Sequence, residues 1–377
     1  MRHTRTEPKF NTTTISNRAS RALAAQSAAL VRRGLRDLAR DSNWLIKKLF
    51  TRRMNELQIS PAGQVCATSY DARAGRARIS IFDIELSVPA FNLDVPYDQP
   101  PERPARRASF VWSPDGRYVV AAAPDGSQEL HLLDVPARSH VRLLNTFDYA
   151  SETLTWSASG NYFAASFAAG DFSSIRLWRK ANDQELSLGR AEGEIAVADW
   201  IAARPGSEVA EDAGSFQNYG TLALSPGDEW LAAVAEIDGD WADDYLLLAR
   251  VPSLRLADIH AGQGHITDVS WSGGPQQLVY CASGQAFQLN LESREATPMP
   301  FAAELFRCHP TQPIAGCFAS WLKNSAKGRL FVANLDDGTV IDECPAEGVV
   351  DIRWSGDGTK LYAVSQGGLA YAYEVSI

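Results

Sequence analysis

Seven times between residues 56 and 377 a short alternating run ends in an aromatic or aliphatic residue and passes at once into a tight-turn tetrapeptide. The run ends are Ile59, Trp112, Trp156, Leu224, Trp271, Cys308 and Trp354. The turns read Ser60-Pro61-Ala62-Gly63, Ser113-Pro114-Asp115-Gly116, Ser157-Ala158-Ser159-Gly160, Ser225-Pro226-Gly227-Asp228, Ser272-Gly273-Gly274-Pro275, His309-Pro310-Thr311-Gln312 and Ser355-Gly356-Asp357-Gly358. Proline presets φ, and glycine and aspartate tolerate the positive φ that a tight reversal between strands needs. A hydrophobic strand follows each turn, then a loop, then a third strand.

The third-strand ends count the same units independently. They are Phe82-Asp83, Leu133-Asp134, Trp178-Arg179, Ala249-Arg250, Leu291-Glu292, Leu335-Asp336 and Tyr373-Glu374, and most close on an acid. Most intervals are about 40–50 residues, the period of a four-stranded propeller blade. One such sheet cannot bury both faces alone, so neighbours must pack radially into a ring. The fold class expected is therefore all-β, a seven-bladed β-propeller over 43–377. The third-to-fourth interval is longer, and an insertion is placed at 189–218.

These residues resemble the WD-repeat family of β-propellers. The units nearest its pattern are Leu154-Thr155-Trp156-Ser157 with Ser174-Ile175-Arg176-Leu177-Trp178, and Gly264-His265 with Val269-Ser270-Trp271-Ser272. The resemblance covers about residues 56–377. It implies a non-catalytic interaction scaffold, a subunit of a multiprotein assembly that meets protein partners through its face loops; the location expected is cytoplasmic, with organelle targeting through the N-terminal segment as the alternative. It also implies that His265 is a structural histidine at a blade entrance. Gly-His occurs clearly once, and a full Trp-Asp never ends a third strand, so most of the family's buried Asp–His–Ser/Thr–Trp networks are not expected.

Charge divides the chain into two objects. Residues 1–53 hold thirteen lysines and arginines against three acids, a net of +10, which leaves −19 for the remainder of a chain whose total is −9. Such an acidic body is not an ordinary nucleic-acid binder. Residues 1–42 read as a basic amphipathic helical arm, with Leu23, Leu30, Val31, Leu35 and Leu38 at helical spacing. The best apolar stretch, Ala22 to Val31, holds Gln26 and Ser27 and runs into Arg32 and Arg33, so it is not a secretory signal. An organelle transit peptide, a helix that docks on a partner or an anionic surface, and an upstream translation before a true start at Met54 remain open readings. No run approaches the roughly 20 apolar residues of a membrane span. The last unit ends without a fourth strand, and 43–50, with Trp44, Leu45, Ile46, Leu49 and Phe50, is the expected closing strand.

Chemistry is sparse. The six histidines form no His-x-x-x-His pair, and His131 lies inside a strand run. Five scattered cysteines include no C-x-x-C pair, and Cys308 reads as an inert buried thiol. No catalytic residue, metal ligand or cofactor is assigned. One acidic loop, Asp238-Gly239-Asp240-Trp241-Ala242-Asp243-Asp244, sets four carboxylates about a tryptophan. An EF-hand reading fails because its twelfth position is Ala249, where a bidentate glutamate is needed. A solvated acidic turn, a partner contact and a looser oxygen cage stay open. With Trp200 and Phe216 of the insertion, Asp238, Asp240, Trp241, Asp243 and Asp244 form the candidate partner surface, since aromatics dominate hot spots. Competing expectations are a propeller hydrolase or lactonase with a central-channel site, and a membrane or nucleic-acid adaptor acting through the basic arm.

Overall fold

The computed structural model describes residues 44–49, 56–71, 76–84, 88–96, 110–122, 129–145, 150–169, 172–179, 193–195, 216–237, 244–261, 264–273, 276–320 and 327–375. These form twenty-eight strands in seven four-stranded sheets, with no helix among the described residues. The helical arm expected at 1–42 lies outside them.

The first strand, β1 (Trp44–Lys48), belongs to the last sheet. Blade 1 is β2 (Glu56–Ile59), β3 (Gln64–Asp71), β4 (Arg76–Asp83) and β5 (Val88–Pro96). Blade 2 is β6 (Phe110–Trp112), β7 (Tyr118–Ala122), β8 (Glu129–Asp134) and β9 (Ser139–Asn145). Blade 3 is β10 (Ala150–Trp156), β11 (Tyr162–Ala169), β12 (Phe172–Arg179) and β13 (Gly193–Ile195). Blade 4 is β14 (Phe216–Leu224), β15 (Trp230–Ile237), β16 (Tyr245–Arg250) and β17 (Arg255–Ala261). Blade 5 is β18 (Ile266–Trp271), β19 (Gln277–Ala282), β20 (Gln285–Asn290) and β21 (Ala296–Ala302). Blade 6 is β22 (Leu305–Cys308), β23 (Ile314–Ser320), β24 (Lys327–Asn334) and β25 (Val340–Glu347). Blade 7 is β26 (Val349–Trp354), β27 (Lys360–Ser365) and β28 (Leu369–Glu374), completed by β1.

All seven first-strand ends read from the sequence are the last residues of innermost strands. The insertion placed at 189–218 includes β13, the outer strand of blade 3, and the opening residues of β14, so part of it is blade.

No blade has a core of its own. The buried apolar residues fall into seven clusters, and each joins two neighbouring blades, including blade 7 with blade 1. Strand alternation explains this. In β15, Trp230, Ala232 and Val234 pack toward blade 5, while Leu231, Ala233 and Ala235 pack toward blade 3. A strand buried on both faces reads as an almost unbroken apolar run, and these middle strands do. Side chains directed to opposite sides at every residue make the sheet a wedge that needs a neighbour on each side.

Closure follows from β1, which pairs antiparallel with β28 from Trp44 opposite Tyr373 to Lys48 opposite Leu369. Trp44 is buried, and its ring lies 4.9 Å from that of Tyr373. A segment that precedes blade 1 thus completes blade 7, and separating the two would expose an unpaired strand edge.

Candidate functional site

The seven innermost strands surround an axial channel of about 1450 Å³, lined by residues of all seven blades. Its wall is built by side chains that reach from one blade to the next. At three of the four innermost strands that end in tryptophan the indole N–H bonds back to the preceding blade, while Trp156 Nε1 is buried without a partner. Trp112 Nε1 donates to the Gln58 carbonyl at 3.2 Å, Trp271 Nε1 to that of Ala223 at 3.0 Å, and Trp354 Nε1 to that of Arg307 at 2.9 Å. The intervening positions face forward. Gln58 Oε1 accepts from Trp112 N at 3.0 Å, Asp268 Oδ2 from Phe306 N at 2.9 Å, Ser270 Oγ from Cys308 N at 3.2 Å, and Asp351 Oδ2 from Ile59 N at 2.8 Å. Each of these side chains satisfies a backbone group at a blade junction, where an unpaired N–H would be costly.

Around the channel rim stand the turns. Ser113, Ser157, Ser225 and Ser355 each accept, through Oγ, the N–H five residues on, at 2.8–3.0 Å. Asp357 accepts from Ser355 Oγ and from the N–H and hydroxyl of Thr359, and these bonds hold its carboxyl down at about 2. In blade 6 the turn serine is replaced by His309. Its Nδ1 accepts the N–H groups of Thr311 (3.1 Å) and Gln312 (2.9 Å), so the ring is the Nε2–H tautomer, and Nε2 donates to the Gly358 carbonyl at 2.9 Å. The ring stands edge-on to Trp354 at 4.7 Å. Gly358 has φ +74° there, and a Cβ on it would come within 2.5 Å of the imidazole, so only glycine fits this approach.

The innermost strands of blades 5 to 7 carry two ion pairs. Arg307 Nη1 pairs with Asp268 Oδ2 at 2.5 Å, and Arg353 Nε lies 3.7 Å from Asp351 Oδ1. Burial opposes the Arg307 charge, yet Asp268 and Asp351 more than offset it and raise its pKa above the ordinary arginine value. Arg353 is the converse: burial outweighs Asp351 and lowers it. Asp351 itself is raised, because burial exceeds the help of Arg353, Arg307 and the Ile59 N–H.

Of the residues singled out in the sequence, Asp238, Asp240, Trp241, Asp243 and Trp200 lie outside the described residues. Phe216 is the first residue of β14, opposite Ile237. Asp244 is buried. Its Oδ2 accepts from Ile266 N at 2.6 Å and lies 2.8 Å from His265 Nδ1, whose side chain is 61% exposed. The carboxylate of Asp244 therefore ties the start of β16 to the start of blade 5 and is not offered to solvent, which removes it from an exposed acidic surface. His131 is buried within β8. Cys308 is half-buried, not fully enclosed as its position suggested, and burial pushes its thiol pKa up.

The channel residues Gln58, Asp268, Arg307, Asp351 and Arg353 were not singled out in the sequence. One signal was available. Asp268 and Asp351 stand three residues before Trp271 and Trp354, at the same place in two repeats.

No protein-family model matches the chain, and no curated protein matches it. Among solved structures, the β-propeller domain of Cps50 (Swd1) from Myceliophteria thermophila is similar, with a TM-score of 0.58 at 12% sequence identity. The match covers 88% of this chain and 100% of that one. The likeness is one of fold: a seven-bladed β-propeller.

Proposed function

We propose that this protein is a non-catalytic interaction scaffold, a subunit of a multiprotein assembly that holds protein partners on the faces of its ring. The WD40-type fold commonly mediates protein interactions, and no function beyond that is carried by the likeness. The observation that supports the reading is the closed ring itself. Seven inter-blade cores and side-chain ties between adjacent innermost strands make a rigid support for loops. Loops on a rigid frame are where specificity resides. The acidic segment 238–243, which joins β15 to β16, and the insertion with Trp200 are the surfaces proposed for contact.

Isolation of the tagged full chain from its native cells tests this. A protein partner should be recovered at a fixed stoichiometry, and Trp241→Ala or Asp240→Ala should reduce that recovery severalfold while melting is unchanged. A native protein that sediments as a monomer and retains no partner would overturn the scaffold reading.

A further inference from the structure

We propose that the axial channel holds a site for an oxyanion, a carboxylate or phosphate group, anchored by the outer nitrogens of Arg353. The innermost-strand charges of blades 5 to 7 are paired in number but not in placement. Asp268 and Asp351 are turned into the blade junctions, where each gives an oxygen to a backbone N–H, and their side chains are only 3% and 7% exposed. The guanidinium groups are what the channel meets: the Arg307 and Arg353 side chains are 21% and 34% exposed. In these two pairs the carboxylates lie behind and the guanidinium groups in front, so a solute beside them meets the cations first.

The two arginines differ in how far they are committed. Arg307 Nη1 donates to both Asp268 Oδ2 and the Phe306 carbonyl. Arg353 Nε is buried without a hydrogen-bond partner, and its 3.7 Å separation from Asp351 Oδ1 is too long for a hydrogen bond. Burial and the neighbouring Arg307 charge lower the Arg353 pKa, and Asp351 offsets them only in part. A bound oxyanion would supply further counter-charge in the two-point geometry that a guanidinium favours. Thr155 and Thr221, which line the channel on blades 3 and 4, bring neutral hydroxyl-bearing side chains to the far side of the ring, and Glu304, which also lines it, accepts the Ser320 hydroxyl through Oε1. With a volume of about 1450 Å³, the channel has room for an oxyanion carried on a short chain as well as for a free one. The site would serve a scaffold or a catalyst alike, so it stands or falls apart from the proposed function.

The test uses the full chain labelled with ¹⁵N-arginine, following the Arg353 Nε–H resonance, assigned by its loss in Arg353→Lys. Four probes are titrated: the capped peptide Gly-Ser-Glu-Ser-Gly, its twins with glutamine or phosphoserine at the centre, and inorganic phosphate. A charge-assisted hydrogen bond of about 1.5–3 kcal/mol corresponds to roughly 10–100-fold in affinity. At least one anionic probe should therefore shift the resonance saturably, about tenfold or more tighter than the glutamine twin, and weaken with salt. Arg353→Met should abolish binding while keeping a cooperative melting transition, at lower stability because it strips a counter-charge from buried Asp351. Arg353→Lys, which keeps the charge without the fork, should weaken it severalfold and serves if the methionine variant does not fold. Response to a charged peptide but not to phosphate assigns an oxyanion borne on a chain; the reverse assigns a free anion, and either upholds the site. Binding of the glutamine peptide as tightly as every anionic probe, unchanged binding by both Arg353 variants, or no response to any probe at millimolar concentration overturns it.

Discussion

Asp351, on the innermost strand of blade 7, accepts the backbone N–H of Ile59, at the end of the innermost strand of blade 1, at 2.8 Å across 292 residues of sequence. The bond lies at the junction where the ring meets itself, and the carboxylate is buried there. Removing it leaves a buried N–H unsatisfied and Arg353 without its nearest counter-charge. Asp351→Ala should lower the unfolding free energy by about 2–4 kcal/mol, and Asp351→Asn by less, since the amide oxygen can still accept. Urea unfolding of the two variants decides it. A loss below about 0.5 kcal/mol for the alanine would show that this junction does not depend on the bond.

Trp44 closes the ring from the other side. It is buried in the cluster that joins blades 6 and 7, against Tyr373. Trp44→Ala should cost about 3–5 kcal/mol, whereas Trp44→Phe should cost under about 1.5 kcal/mol. A chain starting at Met54 lacks β1 entirely and should expose the edge of β28, so it should self-associate on sizing columns. A monomeric, equally stable product from Met54 would mean that β1 is dispensable for closure.

Asp268 and Arg307 should behave as one unit. Arg307→Met strips the counter-charge from a buried carboxylate and should cost about 3 kcal/mol or more. Adding Asp268→Asn removes the stranded charge, so the double variant should be more stable than the summed single losses imply, by at least about 1 kcal/mol. Strict additivity in a double-mutant cycle would show that the pair is not coupled.

His309 makes stability depend on pH. Burial lowers its pKa below 6.5, with the Gly358 contact opposing the shift, and Nδ1 cannot take a proton without losing two backbone N–H donors. The unfolded chain therefore binds the proton first as pH falls. The stabilisation is complete above 6.5 and is lost as pH drops from there through the lower folded-state value. His260 is lowered in the same direction by burial, so part of the slope persists in any His309 variant. Unfolding free energies measured between about pH 7.5 and 5 should fall less steeply in His309→Asn than in the parent chain. Parallel curves would assign the acid sensitivity elsewhere.

Legibility in the sequence followed the chemistry of each signal. Ser113-Pro114-Asp115-Gly116 and its counterparts announce turns because the backbone there needs a preset or positive φ, which few residues allow; Gly116 has φ +68° and Gly160 +75°. Trp112, Trp156, Trp271 and Trp354 mark strand ends because each large ring must find a neighbouring blade. The closing strand was readable only in part. The apolar spacing of Trp44, Leu45, Ile46 and Leu49 suits a helix nearly as well, and the free edge of β28 decides for a strand. Asp244 looked like one more acid in a solvated loop, yet the fold turns it inward to Ile266 and His265.

By itself the sequence determined the repeat, its number and the places where the chain reverses, because these rest on contacts between residues a few positions apart. Only the tertiary structure decided which charges face the channel. Arg353 and Asp351 are two residues apart, on the same side of one strand, and nothing local distinguishes their exposure. The N–H of Ile59 does, because it arrives from the other end of the chain and draws the carboxylate into the junction while the guanidinium is left toward the lumen.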